Sequence, residues 1–225
     1  MPFEFRNSQQ QYVGIDIDLL SAIASDQGFE YDLKPLGFSA SVSALDSGQV
    51  DAVFAGMSIT AARQKKYDFS TPYYYSGVVM AVNADTNEIS SYEDLQGKRV
   101  VVKKGTLGKD YAELIQSRYD FSIVYLDDSP FMYEEVETGN SAACFEDFPI
   151  LGYEIAQGRR LKMIHEAIIS DILNDSNSTE QGMWYGFAVQ KGKNAELLAK
   201  FNAGLDHIKA NGTYQEILDR YIKTE

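Results

Sequence analysis

The fold is decided by residues 44–77, which have the sequence ALDSGQVDAVFAGMSITAARQKKYDFSTPYYYSG. A helix that ends at Gly48 is predicted at its start, and the apolar run from Val50 to Ala55 predicts a buried strand. This strand leads into a polar loop, Gly56–Thr60, and then into a basic helical turn at 63–66. A strand followed by a polar loop and a helix is typical of α/β proteins, in which functional groups lie beyond the carboxyl ends of strands.

The same order of elements recurs along the middle of the chain. A strand at 97–102 is followed by a glycine-containing loop at 103–108 and a helix at 110–117. A second buried strand at 140–145 precedes a helix at 150–156. Strands that alternate with helices at this spacing predict an α/β fold with mostly parallel sheets.

The two ends of the chain add further elements. Apolar spacing predicts a helix that ends at Gly28, and an alternating pattern predicts an edge strand at Tyr31–Leu36. Towards the carboxyl end we predict a strand at 185–189, a long helix and a last helix. Thr213 and Glu216 have the spacing of a capping box for that last helix.

Composition and charge exclude several classes of function. The chain has 225 residues, 44% of them hydrophobic, so it can bury a substantial core and we do not expect disorder. Its net charge of −13 argues against nucleic acid and anionic membranes as partners. No apolar run approaches the length of a membrane span, and we see no export leader within this sequence.

Cysteine and histidine content limits the metal and redox chemistry. Cys144 is the sole cysteine, so no internal disulfide is possible. With only His165 and His207 beside it, the chain cannot build a zinc site of the usual nitrogen and sulfur ligands. A calcium site made of carboxylates alone stays open. The sequence has no GxxxxGK[ST] phosphate loop, and we expect no cofactor.

Three strand exits carry the polar groups that a zwitterion requires. They offer an anion clamp, hydroxyl and amide donors, and an acceptor for a cation. These groups are Ser58, Thr60 and Arg63 after the first strand, Lys103, Gly105 and Thr106 after the second, and Glu146 and Asp147 after the third.

Each of these residues also has an ordinary structural interpretation. Arg63 fits a solvated surface charge, and the Gly-Thr pair after the second strand fits common turn chemistry. Glu146 and Asp147 precede a proline and fit a helix N-cap with favourable charge. Phe38 would by default lie in the core. The joint pattern, rather than any one residue, favours a ligand site.

Four segments carry a resemblance to a known family. They are GIDIDLL at 14–20, the run 44–77, EDLQGKRVVVKKGTLG at 93–108 and NGTYQEILDRY at 211–221. Over nearly the whole chain they resemble the polar amino-acid-binding proteins of ABC importers, which belong to the type II periplasmic-binding-protein-like family. The stretch GNSAACFED at 139–147 is most similar to glutamine-binding domains of Gram-positive bacteria, several of which are fused to their permease.

The resemblance implies two α/β lobes with a ligand cleft between them, joined by two hinge strands. By analogy these crossings fall near Tyr73–Gly77 and Gln181–Tyr185. The large lobe is then expected at 1–77 and 181–225, and the small lobe at 78–180. Members of the family begin with a strand ahead of the first residues seen here, so we expect that strand to be missing from this sequence.

The resemblance also implies roles for individual residues. Arg63 is expected to bind the ligand α-carboxylate, assisted by Ser58 and Thr106. Asp147 is expected to bind the α-ammonium, together with the carbonyl of Gly56.

The side-chain end of the ligand is assigned in the same way. Phe38 is expected to form a wall of the pocket that holds the ligand side chain, and Ala55 is expected to line the site. Lys103 is expected to lie near the distal end of the ligand side chain. Glu146 stands where some glutamine-binding members have histidine, and a carboxylate there would tolerate cationic ligands, whereas Lys103 repels them. We give Lys103 more weight and expect glutamine, then glutamate.

The expected function is therefore an extracytoplasmic solute-binding protein that captures a polar amino acid by cleft closure and delivers it to a membrane permease. We expect a monomer on the surface of a Gram-positive cell, lipid-anchored or permease-fused, or in the periplasm of a Gram-negative one. ATP hydrolysis would belong to a partner. The alternatives are an amino-acid sensor domain and an enzyme similar to cyclohexadienyl dehydratase, with Glu146 as its proton-transfer group.

Overall fold

The computed structural model describes residues 1–164 and 184–222. Its helices are α1 (Ile15–Gln27), α2 (Phe38–Asp46), α3 (Ala61–Gln64), α4 (Leu107–Tyr119), α5 (Ser129–Glu137), α6 (Phe148–Ala156), α7 (Ala195–Ala210) and α8 (Thr213–Tyr221). Its strands are β1 (Phe5–Arg6), β2 (Tyr12–Val13), β3 (Ala52–Val53), β4 (Tyr67–Phe69), β5 (Tyr74–Tyr75), β6 (Val78–Asn83), β7 (Arg99–Lys103), β8 (Ser122–Leu126), β9 (Ala143–Asp147), β10 (Leu161–Ile164), β11 (Trp184–Tyr185) and β12 (Ala188–Gln190).

The described chain divides into two compact units. Unit 1 contains residues 1–36, 40–75 and 184–222, and unit 2 contains residues 37–39 and 76–164. Of the second predicted crossing, residues 181–183 lie outside the described residues, as does His165.

Unit 1 is built around α1, whose apolar residues recur at helical spacing. Ile15, Leu19 and Ile23 are fully buried, and α1 packs against α7 and α8. Gly204 lets α7 approach closely, because a Cβ atom there would lie 2.8 Å from Ile23 Cγ2. The predicted end of α1 is confirmed, since Gly28 adopts the left-handed conformation that favours glycine.

Unit 1 also contains a three-stranded sheet in the order β3-β12-β4, in which both pairs are antiparallel. Aromatic rings fill the space beside it. Phe187 and Phe201 stack at a centroid distance of 4.2 Å, and Phe54 meets both of them edge to face. Strand β5 pairs antiparallel with β11, next to the point where the chain passes into unit 2.

Unit 2 is a five-stranded sheet in the order β10-β6-β9-β7-β8 with helices on both faces. One face packs against Tyr111, Ala112 and Ile115 of α4. The other face packs against α5 and α6, through residues such as Met132 and Leu151. The alternation of side chains along each strand therefore produces two separate apolar layers.

Three sequence predictions are corrected by these elements. The sheets are mixed rather than mostly parallel, because only β7 pairs in parallel, with β8 and β9, among the described pairs. Residues Tyr31–Leu36 are exposed and form no strand, since they pair with no described strand. The capping box is absent, because α8 has Gly212 at its N-cap and makes no side-chain cap bond.

None of the described helices has the length and apolar character needed to cross a membrane.

Candidate functional site

The first candidate group lies in unit 1, where a loop follows β3. Gly56 has a φ of 56°, in the left-handed region, and donates its amide to Asp16 Oδ2 at 2.8 Å. A Cβ atom at this position would also lie 3.4 Å from the ring of Tyr185. A glycine therefore suits the turn for its φ, whereas the contact with Tyr185 would be an ordinary van der Waals contact.

The same loop is fixed to the segment that enters unit 1 at β11. Ser58 forms an antiparallel bridge with Tyr185, and Ile59 donates its amide to Trp184 O at 2.8 Å. Gly186 donates its amide to Met57 O at 3.0 Å. The loop backbone is thus held along its length, which favours a preorganised binding surface.

Arg63 projects from the short helix α3 directly after this loop. Thr60 is the N-cap of α3 and accepts a hydrogen bond from the Arg63 amide at 3.1 Å. The Arg63 guanidinium donates to Ser58 O at 2.8 Å, and the side chain is half-buried rather than fully solvated. This bond orients the planar guanidinium, whose geometry suits two-pronged binding of a carboxylate.

The second candidate group lies in unit 2, where β7 leads into α4. Gly105 has a φ of 76°, and Thr106 is the N-cap of α4. The Thr106 hydroxyl donates to Lys103 O at 2.7 Å and accepts from the Lys109 amide at 3.3 Å. The turn interpretation is therefore correct for Thr106, and the cap also ties the loop to the end of β7.

Gly108 brings the first turn of α4 against β9. A Cβ atom at Gly108 would lie 2.5 Å from Phe145 O, so no other residue fits without a shift of the backbone. The absence of a side chain here places the start of α4 beside the strand that ends in Glu146 and Asp147.

Glu146 is a buried carboxylate with several donors. Its Oε2 atom accepts from the hydroxyls of Tyr133, at 2.8 Å, and Ser129, at 3.2 Å. Its Oε1 atom accepts from the Asp147 amide at 3.0 Å. Burial of a carboxylate is tolerated when donors surround it, and these three occupy three of its roughly four acceptor positions.

Asp147 is the last residue of β9 and the N-cap of α6. Its side chain makes no capping hydrogen bond, so of the ordinary N-cap interpretation only the favourable charge at the helix N-terminus applies here. The residue is half-buried, and its backbone pairs with Val78 of β6.

Lys103 is the last residue of β7, and Glu146 is the last but one of the neighbouring strand β9. The parallel register joins Val100 to Ala143 and Val101 to Cys144. If this register continues for two residues, Lys103 lies next to Glu146, and strand alternation then directs both towards the face that carries Val101 and Cys144.

The predicted residues fall into the two units as follows. Unit 1 brings together Ala55, Gly56, Ser58 and Arg63, whereas unit 2 brings together Lys103, Thr106, Glu146 and Asp147. Phe38 is the first residue of α2 and is half-buried, so it is not a core residue, and it groups with unit 2.

Sequence reasoning missed the residues that hold these groups in place. Asp16 lies within the segment 14–20, and an acidic residue on the apolar face of a predicted helix is a local signal of a buried, hydrogen-bonded carboxyl group. Ser129 and Tyr133 of α5 carry no such signal, because they meet Glu146 only through tertiary packing.

Comparison with known proteins identifies the family of this chain. The model of the family described as bacterial extracellular solute-binding proteins, family 3, matches residues 1–224. The ABC transporter arginine-binding protein 1 of Escherichia coli (strain K12) is 30% identical over 222 residues, which cover 98% of this chain and 86% of that protein.

Two solved structures extend the comparison. The Lactococcus lactis GlnP substrate binding domain 2, in open conformation, is 37% identical with a TM-score of 0.65, over 100% of this chain and 91% of that chain. An ancestral arginine-binding protein bound to glutamine is 33% identical with a TM-score of 0.85, over 99% of this chain and 93% of that chain. These likenesses confirm the two-lobe, periplasmic-binding-protein-like α/β fold. The named relatives are binding proteins or domains, in agreement with the prediction that the chain is not an enzyme.

Proposed function

This chain belongs to the bacterial extracellular solute-binding proteins, family 3, which serve amino-acid ABC transporters, and we propose that it captures L-glutamine, with L-glutamate as the second choice. The choice of glutamine rests on the parallel register of β7 and β9, which pairs Val101 with Cys144 and, continued by two residues, places Lys103 next to Glu146. The contacts of Glu146 support it.

The amino and carboxylate groups of the ligand have matching partners. In our proposal Arg63 binds the α-carboxylate, with donors from the Ser58 and Thr106 regions beside it. Asp147 and the Gly56 carbonyl bind the α-ammonium. The support is that Arg63 is oriented by the Ser58 carbonyl, while Asp147 lies half-buried at the N-cap of α6.

The distal end of the ligand explains the choice among amino acids. Lys103 is a donor, and Glu146 has about one acceptor position beyond its three bonds, so together they suit a group that is both acceptor and donor. A carboxamide has both properties and no net charge. The guanidinium of arginine would be repelled by Lys103, and the carboxylate of glutamate by Glu146.

The similarity to arginine-binding proteins is compatible with this choice. The Escherichia coli relative is named as an arginine-binding protein, whereas the structure of the ancestral arginine-binding protein contains bound glutamine. Specificity is a difference between affinities for two ligands. One charged residue near the ligand side chain can therefore reverse the preference between arginine and glutamine, while the groups that bind the α-ammonium and α-carboxylate stay the same.

Capture by closure is the mechanism that we propose. Units 1 and 2 correspond to the two lobes, with a hinge near Tyr73–Gly77, and the change of unit after Tyr75 supports this boundary. Ligand binding favours the closed state only by its differential affinity for the two states. The closed form would then be recognised by the membrane permease of the transporter, to which the protein binds as a monomer.

The location is part of the same proposal. The family is extracellular, and we propose that this member acts at the surface of a Gram-positive cell, anchored by lipid or fused to its permease. The identity to the Lactococcus lactis domain supports this placement.

A thermal-shift panel of the twenty amino acids tests the ligand. Binding at one hundred times the dissociation constant stabilises the folded state by about 2.7 kcal/mol. We expect glutamine to raise the Tm most and glutamate next. In Asp147→Asn the rise should be lost, whereas Asp127→Asn, which changes an exposed carboxylate paired with Lys104, should keep it. If arginine or cystine raises the Tm more than glutamine, the assigned ligand is wrong.

A further inference from the structure

Asp16 is an acidic residue on the apolar face of α1. It is fully buried, as are Ile15 and Leu19 beside it. Burial of a carboxyl group costs several kcal/mol unless hydrogen bonds replace its water. The position therefore requires an explanation beyond packing.

Two segments of unit 1 donate hydrogen bonds to one oxygen of this carboxyl group. Asp16 Oδ2 accepts from the Gly56 amide at 2.8 Å and from the Tyr73 hydroxyl at 3.0 Å. Asp16 Oδ1 is buried and has no hydrogen-bond partner within the described part of the chain. The two donors come from the loop that follows β3 and from the residue that precedes β5.

The bond to the Gly56 amide also sets the direction of a carbonyl group. In a planar trans peptide, the N–H of one residue and the C=O of the residue before it point in opposite directions. Because Asp16 binds the Gly56 N–H, the Ala55 carbonyl is directed away from the buried carboxyl group. Asp16 therefore fixes the orientation of the Ala55–Gly56 peptide, which directly precedes the Gly56 carbonyl assigned to the ligand ammonium.

We propose that Asp16 is a positioning residue for ligand capture, which holds the Ala55–Gly56 peptide in its binding orientation and links it to Tyr73 at the hinge strand β5. This inference rests on the proposed function. It adds a residue that does not itself touch the ligand and that connects the loop to the segment where the chain leaves unit 1.

The charges around Asp16 agree with this role. Burial and the neighbouring Glu4 raise the pKa of Asp16, while the bonds from Gly56 and Tyr73 oppose that rise. The pKa of Tyr73 is raised by burial and by Asp16, with smaller contributions from Tyr185 and Glu4. Tyr73 therefore stays protonated and remains a donor to Asp16.

The test uses three substitutions and one matched control. Asp16→Ala removes the acceptor, whereas Asp16→Asn keeps one acceptor oxygen for Gly56 and Tyr73 and places its NH2 group where Oδ1 has no partner. Tyr73→Phe removes one donor. Asp18→Ala is the control, because Asp18 lies on the same helix but binds α8, where it accepts from the Tyr221 hydroxyl at 2.9 Å and pairs with Arg220 at 3.3 Å.

Glutamine affinity is measured by calorimetry at a temperature at which all variants are folded. We expect Asp16→Ala to weaken binding at least tenfold, Tyr73→Phe about threefold, and Asp16→Asn and Asp18→Ala less than threefold. If Asp16 had a purely structural role, Asp16→Ala and Asp18→Ala would bind glutamine with equal affinity. That result would overturn the proposal. So would an Asp16→Asn variant that binds as weakly as Asp16→Ala.

A second measurement separates this inference from the choice of ligand. Hydrogen exchange of the Gly56 amide, followed in the ligand-free protein, should be at least tenfold faster in Asp16→Ala than in the wild type, and unchanged in Asp18→Ala. If the wild type binds none of the twenty amino acids, the proposed function fails while the exchange result stands. If the Gly56 amide exchanges equally in all variants, Asp16 does not hold the loop. Should Asp16→Ala not fold, Tyr73→Phe carries the comparison, with faster Gly56 exchange as the supporting result and unchanged exchange as the opposing one.

Discussion

The hydroxyl of Tyr133 donates a hydrogen bond of 2.8 Å to Glu146 Oε2, and both residues are buried. Burial and the charge of Glu146 raise the pKa of Tyr133 well above its ordinary value. Tyr133 therefore remains a donor at every physiological pH. Helix α5 in this way fixes the carboxylate at the end of β9, beside the position of Lys103.

Removal of this hydroxyl should destabilise the protein. In Tyr133→Phe the buried carboxylate loses one of its three donors, and we expect a loss of about 1–3 kcal/mol in the free energy of unfolding, as for hydrogen bonds to charged groups. Urea unfolding measures it. Tyr125→Phe is the control, because Tyr125 is exposed and its bond to Glu113 should contribute less than about 0.5 kcal/mol. Equal losses in the two variants would contradict a special role for the buried pair.

The charge of Glu146 should set the choice between glutamine and glutamate. Glu146→Gln removes the negative charge that the continued register places next to Lys103, so the affinity for glutamate should rise relative to that for glutamine, by about tenfold or 1.4 kcal/mol. Competition calorimetry with both ligands gives the ratio. Glu113→Gln, at an exposed position of α4, should leave the ratio unchanged. If the ratio is the same in both variants, Glu146 does not contribute to the distal end of the site.

The contact between Gly108 and β9 should be sensitive to a single methyl group. Alanine normally favours a helix over glycine by about 1 kcal/mol. In Gly108→Ala, however, the new Cβ would lie 2.5 Å from Phe145 O, so we expect a loss of about 1–3 kcal/mol.

The matched control for this variant is Gly152→Ala in α6, where the new Cβ would meet only Met163 Cε at 3.4 Å. This change should be neutral or stabilising in the same thermal or urea unfolding experiment. A Gly108→Ala protein as stable as Gly152→Ala would show that α4 does not lie this close to β9.

The buried carboxyl group of Asp16 should give stability a characteristic dependence on pH. Because its pKa in the folded protein is raised, the native state binds more protons than the unfolded state above pH ~4, the usual range of an aspartate pKa. Stability that is present at pH 4 is therefore lost as the pH rises towards the folded pKa, by at most about 1.4 kcal/mol per pH unit.

Urea unfolding between pH 4 and pH 7 checks the sign of this effect. Asp16→Asn should lack this decrease, whereas Asp18→Asn should retain it because Asp16 is intact. If the wild type and Asp16→Asn change in parallel with pH, Asp16 is not the group responsible.

Local sequence patterns predicted several elements of this fold. The helix that ends at Gly28 was predicted, and the strand predicted at 140–145 lies at Ala143–Asp147, because apolar periodicity and glycine are local signals that place an element more reliably than its bounds. The alternating pattern at Tyr31–Leu36 failed, since a strand requires a partner that no local pattern supplies. The mixed sheet was missed for the same reason, because strand direction depends on long-range pairing.

The candidate site shows the same division between local and tertiary information. The turn at Gly105 and Thr106 follows from its immediate neighbours, and Thr106 is the N-cap of α4. The bond from Gly56 to Asp16 spans 40 residues, and the bond from Tyr133 to Glu146 joins a helix to a strand. Such contacts arise from tertiary packing. The sequence therefore indicated the charged residues of the candidate site but not the residues that form hydrogen bonds with them.

The most direct test of the account is the calorimetric titration of L-glutamine into the wild type, Arg63→Ala and the control Arg118→Ala, whose arginine is exposed on α4. If Arg63 binds the α-carboxylate, Arg63→Ala should weaken binding at least one hundredfold, or about 2.7 kcal/mol, whereas Arg118→Ala should bind as the wild type does. A wild type that binds no glutamine, or an Arg63→Ala protein with an unchanged dissociation constant, would contradict it.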